Sequence, residues 1–378
     1  MRTLAPNRIP RLLYAASETD ADILYPTGFF APDPFLFIEV GKRRILVMSD
    51  LEMDRARRQA TVDRVLSWSA IAKPLEAATK RAGPADVIAA ALRRLGVRRV
   101  QVPRSFSLGL AIELDARGIR LEMGPDPFWP ERAVKSPREV RAIQAALRAA
   151  EAGLLAGIAA LQACRIRSGY LRRDGRRFTA EDLRAAVNTR IMAEGCLPSH
   201  TICAPGDQAV DPHEEGRGPI RAHSPIVMDI FPRSESTGYY GDLTRTVVRG
   251  RASHRLHELY AVVHEGVRLG HRLVKHGAEG LEIHRRIQAL FDRQGYPTGV
   301  KAGRMQGFFH GTGHGLGLEI HEPPSIGKRP STLRAGHVVT VEPGLYYLGL
   351  GGVRLEDVAL VTRKGSRNLT RVPKQLEI

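Results

Sequence analysis

Four short stretches between residues 213 and 357 carry side chains of a type and spacing that could do chemistry. The first is Ile226-Val227-Met228-Asp229-Ile230-Phe231, followed thirteen positions on by Asp242 in Gly241-Asp242-Leu243-Thr244. Pro232, Ser234, Ser236 and Gly238 between them read as a turn. Two strands joined there would set two carboxylates side by side. Buried like charges repel strongly unless a cation sits between them, so this is half of a metal site; the alternative is a pair of turn-capping, solvated acids.

The second stretch, Phe309-His310-Gly311-Thr312-Gly313-His314-Gly315, continues to Glu319-Ile320-His321-Glu322. Its glycines exclude a stable helix, hence a helical zinc motif, and they lack the strand-turn-helix context of a dinucleotide site. They let backbone approach closely what the histidines hold. Histidine is the commonest metal ligand at neutral pH, although one alone is more often a packed core residue. The third and fourth stretches, Val339-Thr340-Val341-Glu342-Pro343-Gly344-Leu345-Tyr346 and Gly352-Val353-Arg354-Leu355-Glu356-Asp357-Val358, put glutamates inside β-branched runs. Charges there are buried only when paired or metal-bound; the alternative for Arg354 and Glu356 is an ion pair on an exposed strand face. Four carboxylates with imidazole suit a divalent ion such as Mn²⁺, Co²⁺ or Zn²⁺, and a carboxylate-rich set of this size suits two ions sharing a hydroxide.

Elements to position these groups are legible upstream. Apolar runs at 34–39 and 44–48 flank Gly41-Lys42-Arg43 and predict a hairpin. The spacing at 84–95 predicts a helix closed by Gly96, and 97–103 a strand. Strands alternating with helices make residues 1–130 an α/β domain. A proline-rich joint follows, and the boundary is set within 126–135. Ser136-Pro137-Arg138-Glu139 forms a capping box for a helix reaching about 163. Thr179 with Asp182 opens a second helix that stops at Gly195. A third is expected over 253–276, with strands and glycine-rich loops from Gly277 to the end. The second domain, 131–378, is thus mixed helix and sheet, and the chain is of α+β class. His257, His264 and His271 recur every seven residues on the third helix, about 10 Å apart, too far for one metal. Cys203-Ala204-Pro205-Gly206 reads as a turn, and Cys196 and Cys203 as inert.

The chain has 378 residues, 43% of them hydrophobic and 26% charged, in the range of a globular protein. No run approaches 18 consecutive apolar residues, which argues against a membrane span, and the first twenty residues hold no apolar leader core. Three cysteines without a C-x-x-C pair build no disulfide framework and point to the cytoplasm. The net charge of +17 is carried by arginine, because only nine of the 57 basic residues are lysine. They are scattered, and aromatics are 6%, so no specific nucleic-acid partner is expected.

Asp229, Asp242, His314, Glu342 and Glu356, in this order and context, resemble the pita-bread metallopeptidases, the family of methionine aminopeptidase, aminopeptidase P and prolidase. HGTGHGLGLEIHE, VTVEPGLY and GVRLEDV are similar to its proline-specific branch. LYPTGF at 24–29 resembles the start of its creatinase-like N-terminal domain, and VKSPREVRAIQAA the start of its catalytic domain. The resemblance implies a homodimer with two divalent ions per chain, Mn²⁺ first and Co²⁺ or Zn²⁺ next. It implies hydrolysis of Xaa-Pro bonds, at the N-terminus of peptides or in dipeptides, by a metal-bridging hydroxide. Asp229 would chelate one metal, Asp242 and Glu356 would bridge both, and His314 and Glu342 would bind the second, Glu342 also acting as base. His310 and His321 would hold substrate and stabilise the tetrahedral intermediate, His213 would bind substrate, and Arg354 would support Glu356. One departure stands out: the Asp229–Asp242 spacing is about two residues longer than is usual, and Phe231-Pro232-Arg233 replaces a customary glycine. Another hydrolase or lyase on the same scaffold, or a non-catalytic binding module, are the alternatives.

Overall fold

The computed structural model describes residues 9–79 and 81–378, so the first eight of the twenty opening residues read above lie outside it. The chain divides into two compact units, one ending at Arg132 and one starting at Ala133. In the first, β1 (Arg11–Ala15), β2 (Phe35–Val40), β3 (Arg43–Met48), β4 (Arg64–Ser67), β5 (Arg99–Val102) and β6 (Arg120–Met123) form one sheet in the order β4-β3-β2-β1-β5-β6. β2 and β3 make the hairpin around Gly41-Lys42, with Leu36 opposite Val47. Alternation along β2 divides the core: Leu36 and Ile38 join one cluster with Val87, Ile88 and Leu92, whereas Phe35 and Phe37 join the other with Ile23, Met53 and Trp129. Helices α1 (Ala21–Thr27), α2 (Met53–Gln59), α3 (Trp68–Thr79), α4 (Pro84–Arg94) and α5 (Leu108–Asp115) connect the strands. α4 starts as its sequence dictates, with Pro84 in its first turn and Asp86 accepting the Gly83 N–H at 2.9 Å.

The second unit opens on α6 (Pro137–Gln162), where Ser136 and Glu139 cap each other's backbone N–H. By length and composition alone α6 is apolar enough to cross a membrane. Its stripe of Val140, Ile143, Leu147 and Leu154 is instead spent on a core shared with Leu183 and Val187 of α7 (Ala180–Ala193). Between these helices a small meander of β7 (Arg165–Arg167), β8 (Tyr170–Arg173) and β9 (Arg176–Arg177) sets Arg165 opposite Arg172 and Arg172 opposite Arg177. β10 (Cys196–Leu197) pairs with β13 (Arg233–Ser234). β11 (Ile202–Pro205), β12 (Pro225–Ile230) and β14 (Leu243–Val248) form an antiparallel sheet in that order. The expected turn at Cys203–Gly206 is therefore strand as far as Pro205: β11 is an edge strand, where a residue without an N–H is tolerated, and the turn begins at Gly206.

α8 (His254–Leu273) ends three residues before the predicted stop. Strands and loops dominate after Gly277 as expected, but one helix the sequence reading lacked, α9 (Gly280–Arg293), comes first. Its buried Ile283, Ile287, Leu290 and Phe291 have helical spacing; glycines at 277 and 280 hid it. Gly280 is there for packing, since a Cβ would lie 2.2 Å from the Ser325 carbonyl oxygen. α8 and α9 cover a second core cluster with strands of the last sheets. β15 (Gly299–Lys301) and β16 (Arg304–Gln306) form a hairpin. β17 (Gly313–Gly315), β18 (Glu322–Ile326), β19 (Val338–Val341), β22 (Asp357–Val361) and β23 (Ser366–Asn368) form an antiparallel sheet in the order β18-β17-β19-β22-β23. β20 (Gly344–Tyr347) pairs with β21 (Gly351–Arg354).

Candidate metal centre

Strand register sets the first two acids. Asp229 lies opposite Thr244, and Asp242 immediately precedes β14. The Thr244 hydroxyl is 2.8 Å from Asp229 Oδ1 and 2.8 Å from Glu356 Oε2. It has one proton for two acceptors, so the second oxygen is satisfied only if its own acid carries a proton. Arg354, at the end of β21, donates to Asp229 Oδ2 at 2.6 Å and to the Tyr346 hydroxyl at 2.9 Å. This corrects its expected role: Arg354 braces Asp229, and reaches Glu356 only through Thr244. Nor do Arg354 and Glu356 form an exposed pair; they are 3% and 1% exposed, and Glu356 sits in the link between β21 and β22. Next to it, Asp357 pairs with Arg245 at 3.0 Å, both buried, which ties that link to β14.

His314 is the middle residue of β17, and its glycine neighbours are required by contact. A Cβ at Gly313 would lie 2.0 Å from the Thr340 carbonyl oxygen, and one at Gly315 2.4 Å from that of Glu322. The imidazole donates from Nδ1 to the Gly315 carbonyl at 3.1 Å, which turns Nε2 toward the acids. Nε2 is 3.3 Å from Glu342 Oε1 and 3.6 Å from Asp242 Oδ2. Glu342 follows directly on β19, and Thr340 donates to it at 3.3 Å.

Burial and mutual repulsion dominate the electrostatics. Desolvation, with the Asp229 and Glu342 charges, pushes the Asp242 carboxyl well above the usual range. Glu356 is raised likewise, by burial first and then by Asp242, Glu342 and Asp229. Burial also opposes ionisation of Glu342, but the hydrogen bond and charge of His314, with His310 and Arg354, pull its carboxyl down to about 2. Burial would lower His314; Glu342 and Asp242 outweigh it and lift the imidazole to about 9. Four acids thus share one imidazole and one guanidinium.

The residues present fit a divalent cation. Glu356 Oε1 is buried without a hydrogen-bond partner. Asp242, His314 and Glu356 offer ligand atoms within 4.8 Å of one another, with Asp229 and Glu342 beside them. Carboxylate and imidazole are the donors such an ion takes, and its charge would relieve the pressure on Asp242 and Glu356.

All nine residues singled out in the sequence line one cavity of about 580 Å³. His310 donates from Nδ1 to the Gly311 carbonyl at 2.7 Å and accepts the Tyr346 hydroxyl proton at Nε2, 2.8 Å away. Burial pushes this imidazole down to about 4 and the Tyr346 phenol up to about 12, so both are neutral at pH 7. The His321 ring stands edge-on to His314 at 4.3 Å, and His213 lines the same cavity beside Pro212. Two polar residues were not anticipated. Thr244 shares a strand face with Asp242 two positions away, and Tyr346 closes the VTVEPGLY phrase; each spacing offered a weak signal. His257 and His271 of α8 serve Glu377 and Asp357 and take no part in the cavity. All three cysteines are buried and unpaired, and burial pushes the Cys203 thiol up to about 12.

Similarity to known proteins agrees with this geometry. YqhT of Bacillus subtilis (strain 168), an uncharacterized peptidase, is 42% identical over 142 residues, 37% of this chain and 38% of the relative's length. The Xaa-Pro dipeptidase of Pyrococcus horikoshii is 28% identical over 287 residues, 74% of this chain and 75% of that one. The crystal structure of X-Pro aminopeptidase from Thermotoga maritima MSB8 superposes with a TM-score of 0.82 at 23% identity, covering 98% of this chain and 97% of that one. The fold is the pita-bread fold, and residues 141–363 match the sequence model of metallopeptidase family M24. That match spans more than half of the chain, which therefore belongs to metallopeptidase family M24.

Proposed function

We propose that the chain hydrolyses the bond between an N-terminal residue and a following proline, in dipeptides or longer peptides. Two divalent ions would be held by Asp229, Asp242, His314, Glu342 and Glu356, with Mn²⁺ first and Co²⁺ or Zn²⁺ next. The observation that carries the reading is the unpartnered Glu356 oxygen among three further acids on one cavity wall. The naming of two relatives as Xaa-Pro dipeptidase and X-Pro aminopeptidase points the specificity toward proline.

Ions bound at such a site polarise the scissile carbonyl and supply hydroxide at neutral pH. Around them the side chains have distinct work. Glu342, held ionised by His314 and Arg354, accepts the proton of the attacking water. His310 and His321 would hold the substrate and stabilise the tetrahedral intermediate, and His213 would bind substrate. Arg354 and Thr244 keep Asp229 oriented. Proline's ring nitrogen has no N–H to lend to strand pairing, so a cavity walled by side chains suits it better than a strand-edge cleft. The unit ending at Arg132 would be the creatinase-like domain of residues 1–130, and 131–378 the catalytic domain. A homodimer in a reducing cytoplasm, where three free thiols persist, completes the proposal.

The test is cleavage by metal-stripped protein reloaded with Mn²⁺, Co²⁺ or Zn²⁺. The substrates are an Xaa-Pro dipeptide, an Xaa-Pro-Yaa-Zaa peptide and an Xaa-Ala control. Metal-dependent cleavage of the proline substrates alone is expected, and their rate ratio separates dipeptidase from aminopeptidase. Equal or faster cleavage of the Xaa-Ala control, or none of the proline substrates with any metal, overturns the assignment.

A further inference from the structure

The segment between the first two acids puts an aromatic ring where the cavity meets its apolar wall. Ile202 lies directly opposite Asp229 in the β11–β12 ladder, so the two side chains share a face. Phe231, two residues beyond Asp229, returns to that face, and it lines the cavity with Ile202 and Ile320. Its backbone is clamped from both sides. Ile230 pairs with Leu243, and the Pro232 carbonyl accepts the Gly241 N–H at 2.9 Å. Beyond it, Arg233 bridges to Tyr240, β13 pairs with β10, and Tyr239 donates to Glu139 at 2.7 Å. The added length of the hairpin is thus built into an ordered arm, and the backbone that carries the ring is held in place.

We propose that Phe231 sets the size of the N-terminal residue the enzyme accepts, admitting small side chains and penalising aromatic or long ones. This rests on the Xaa-Pro reading above. A free α-amine is a cation and belongs beside carboxylates rather than beside His310 and His321. Asp229 is the acid on the Ile202–Phe231 face. The first residue's side chain hangs from the same carbon as that amine, so it falls against Ile202 and Phe231. Proline lies on the other side of the scissile carbonyl, away from the ring. Apolar pockets discriminate by about 10- to 200-fold per methylene-sized difference, and replacing a benzyl side chain by a methyl frees room for several.

The experiment compares kcat/KM of metal-loaded wild type and Phe231→Ala on Gly-Pro, Ala-Pro, Leu-Pro and Phe-Pro. The expected result is a rise of at least about tenfold in the Phe-Pro to Ala-Pro ratio in the variant. An unchanged ratio in a variant that still cuts Ala-Pro overturns the role of Phe231 and leaves the reaction standing. If Phe231→Ala does not fold, Phe231→Leu decides: a ratio raised toward Leu-Pro and Phe-Pro supports the role, and an unchanged ratio overturns it. A wild type that cuts none of the four dipeptides, and none of the same four first residues at the head of an Xaa-Pro-Yaa-Zaa peptide, overturns the Xaa-Pro reading, and this inference with it.

Discussion

At the residue scale, the proposed centre depends on which acid stays ionised before a cation arrives. Glu342 does so, because His314 lies 3.3 Å from its carboxylate and offsets the cost of burial. Glu342→Gln keeps the shape and removes the base. The variant is expected to hold its melting temperature within a few degrees and to lose turnover by about 10²- to 10⁴-fold. Near-normal turnover on an Xaa-Pro dipeptide would sink the base assignment. Single residues were also where the sequence spoke most clearly. Asp229, Asp242, His314, Glu342 and Glu356 stand out because a charge inside a β-branched run needs a reason. Thr244 and Tyr346 do not stand out, since either is ordinary in a strand. Their roles come from partners 112 and 8 residues away, Glu356 and Arg354 respectively.

At the element scale, termini and turns were the readable parts. The Ser136 and Thr179 capping boxes and the Gly41-Lys42 hairpin rest on local chemistry, which a sequence displays directly. α9 was hidden because Gly280 answers to a distant carbonyl rather than to helix propensity. Arg354 was assigned to Glu356 for the same kind of reason: its bond to Asp229 joins β21 to β12, and only their packing creates it. The turn entering β19, which delivers Glu342, hinges on a buried histidine. His337 accepts the Arg334 N–H at Nδ1, 3.0 Å away. Burial, then the charges of Lys135 and Arg334, push its imidazole down to about 4. The unfolded chain takes up this proton near pH 6.5 and the folded one does not until about pH 4, so stability falls as pH drops through that interval. His337→Asn retains an acceptor and removes the titration. Urea midpoints at pH 7.5 and pH 5 should differ less for the variant than for wild type; an equal difference would place the acid sensitivity elsewhere.

At the scale of the whole molecule, folding gathers acids that the unfolded chain keeps apart. Raised affinities of Asp242 and Glu356 for protons measure that cost at neutral pH. A cation that binds the folded state and not the unfolded one returns stability as RT ln(1 + [L]/Kd), about 2.7 kcal/mol at a hundredfold excess over Kd. Calorimetry of metal-stripped protein titrated with Mn²⁺ should therefore show a melting temperature that climbs with concentration. In Glu356→Gln the climb should shrink. A melting temperature indifferent to every divalent ion tested would argue against the metal centre itself. Composition was silent here, because +17 describes the sum and not the local excess of acid in one cavity.

The strand that carries His314 has no room for variation on either side of it. Thr340 and Glu322 carbonyls occupy the space where side chains at 313 and 315 would begin. In a library of all single substitutions, these two glycines should be as intolerant as the histidine between them, but for another reason. Replacing His314 would give soluble, inactive protein; Gly313→Ala and Gly315→Ala would deplete the protein itself. Abundance and turnover scored separately would pull the three neighbours apart. In heritable terms, the proposed metal ligand is flanked by positions that guard the strand rather than the reaction.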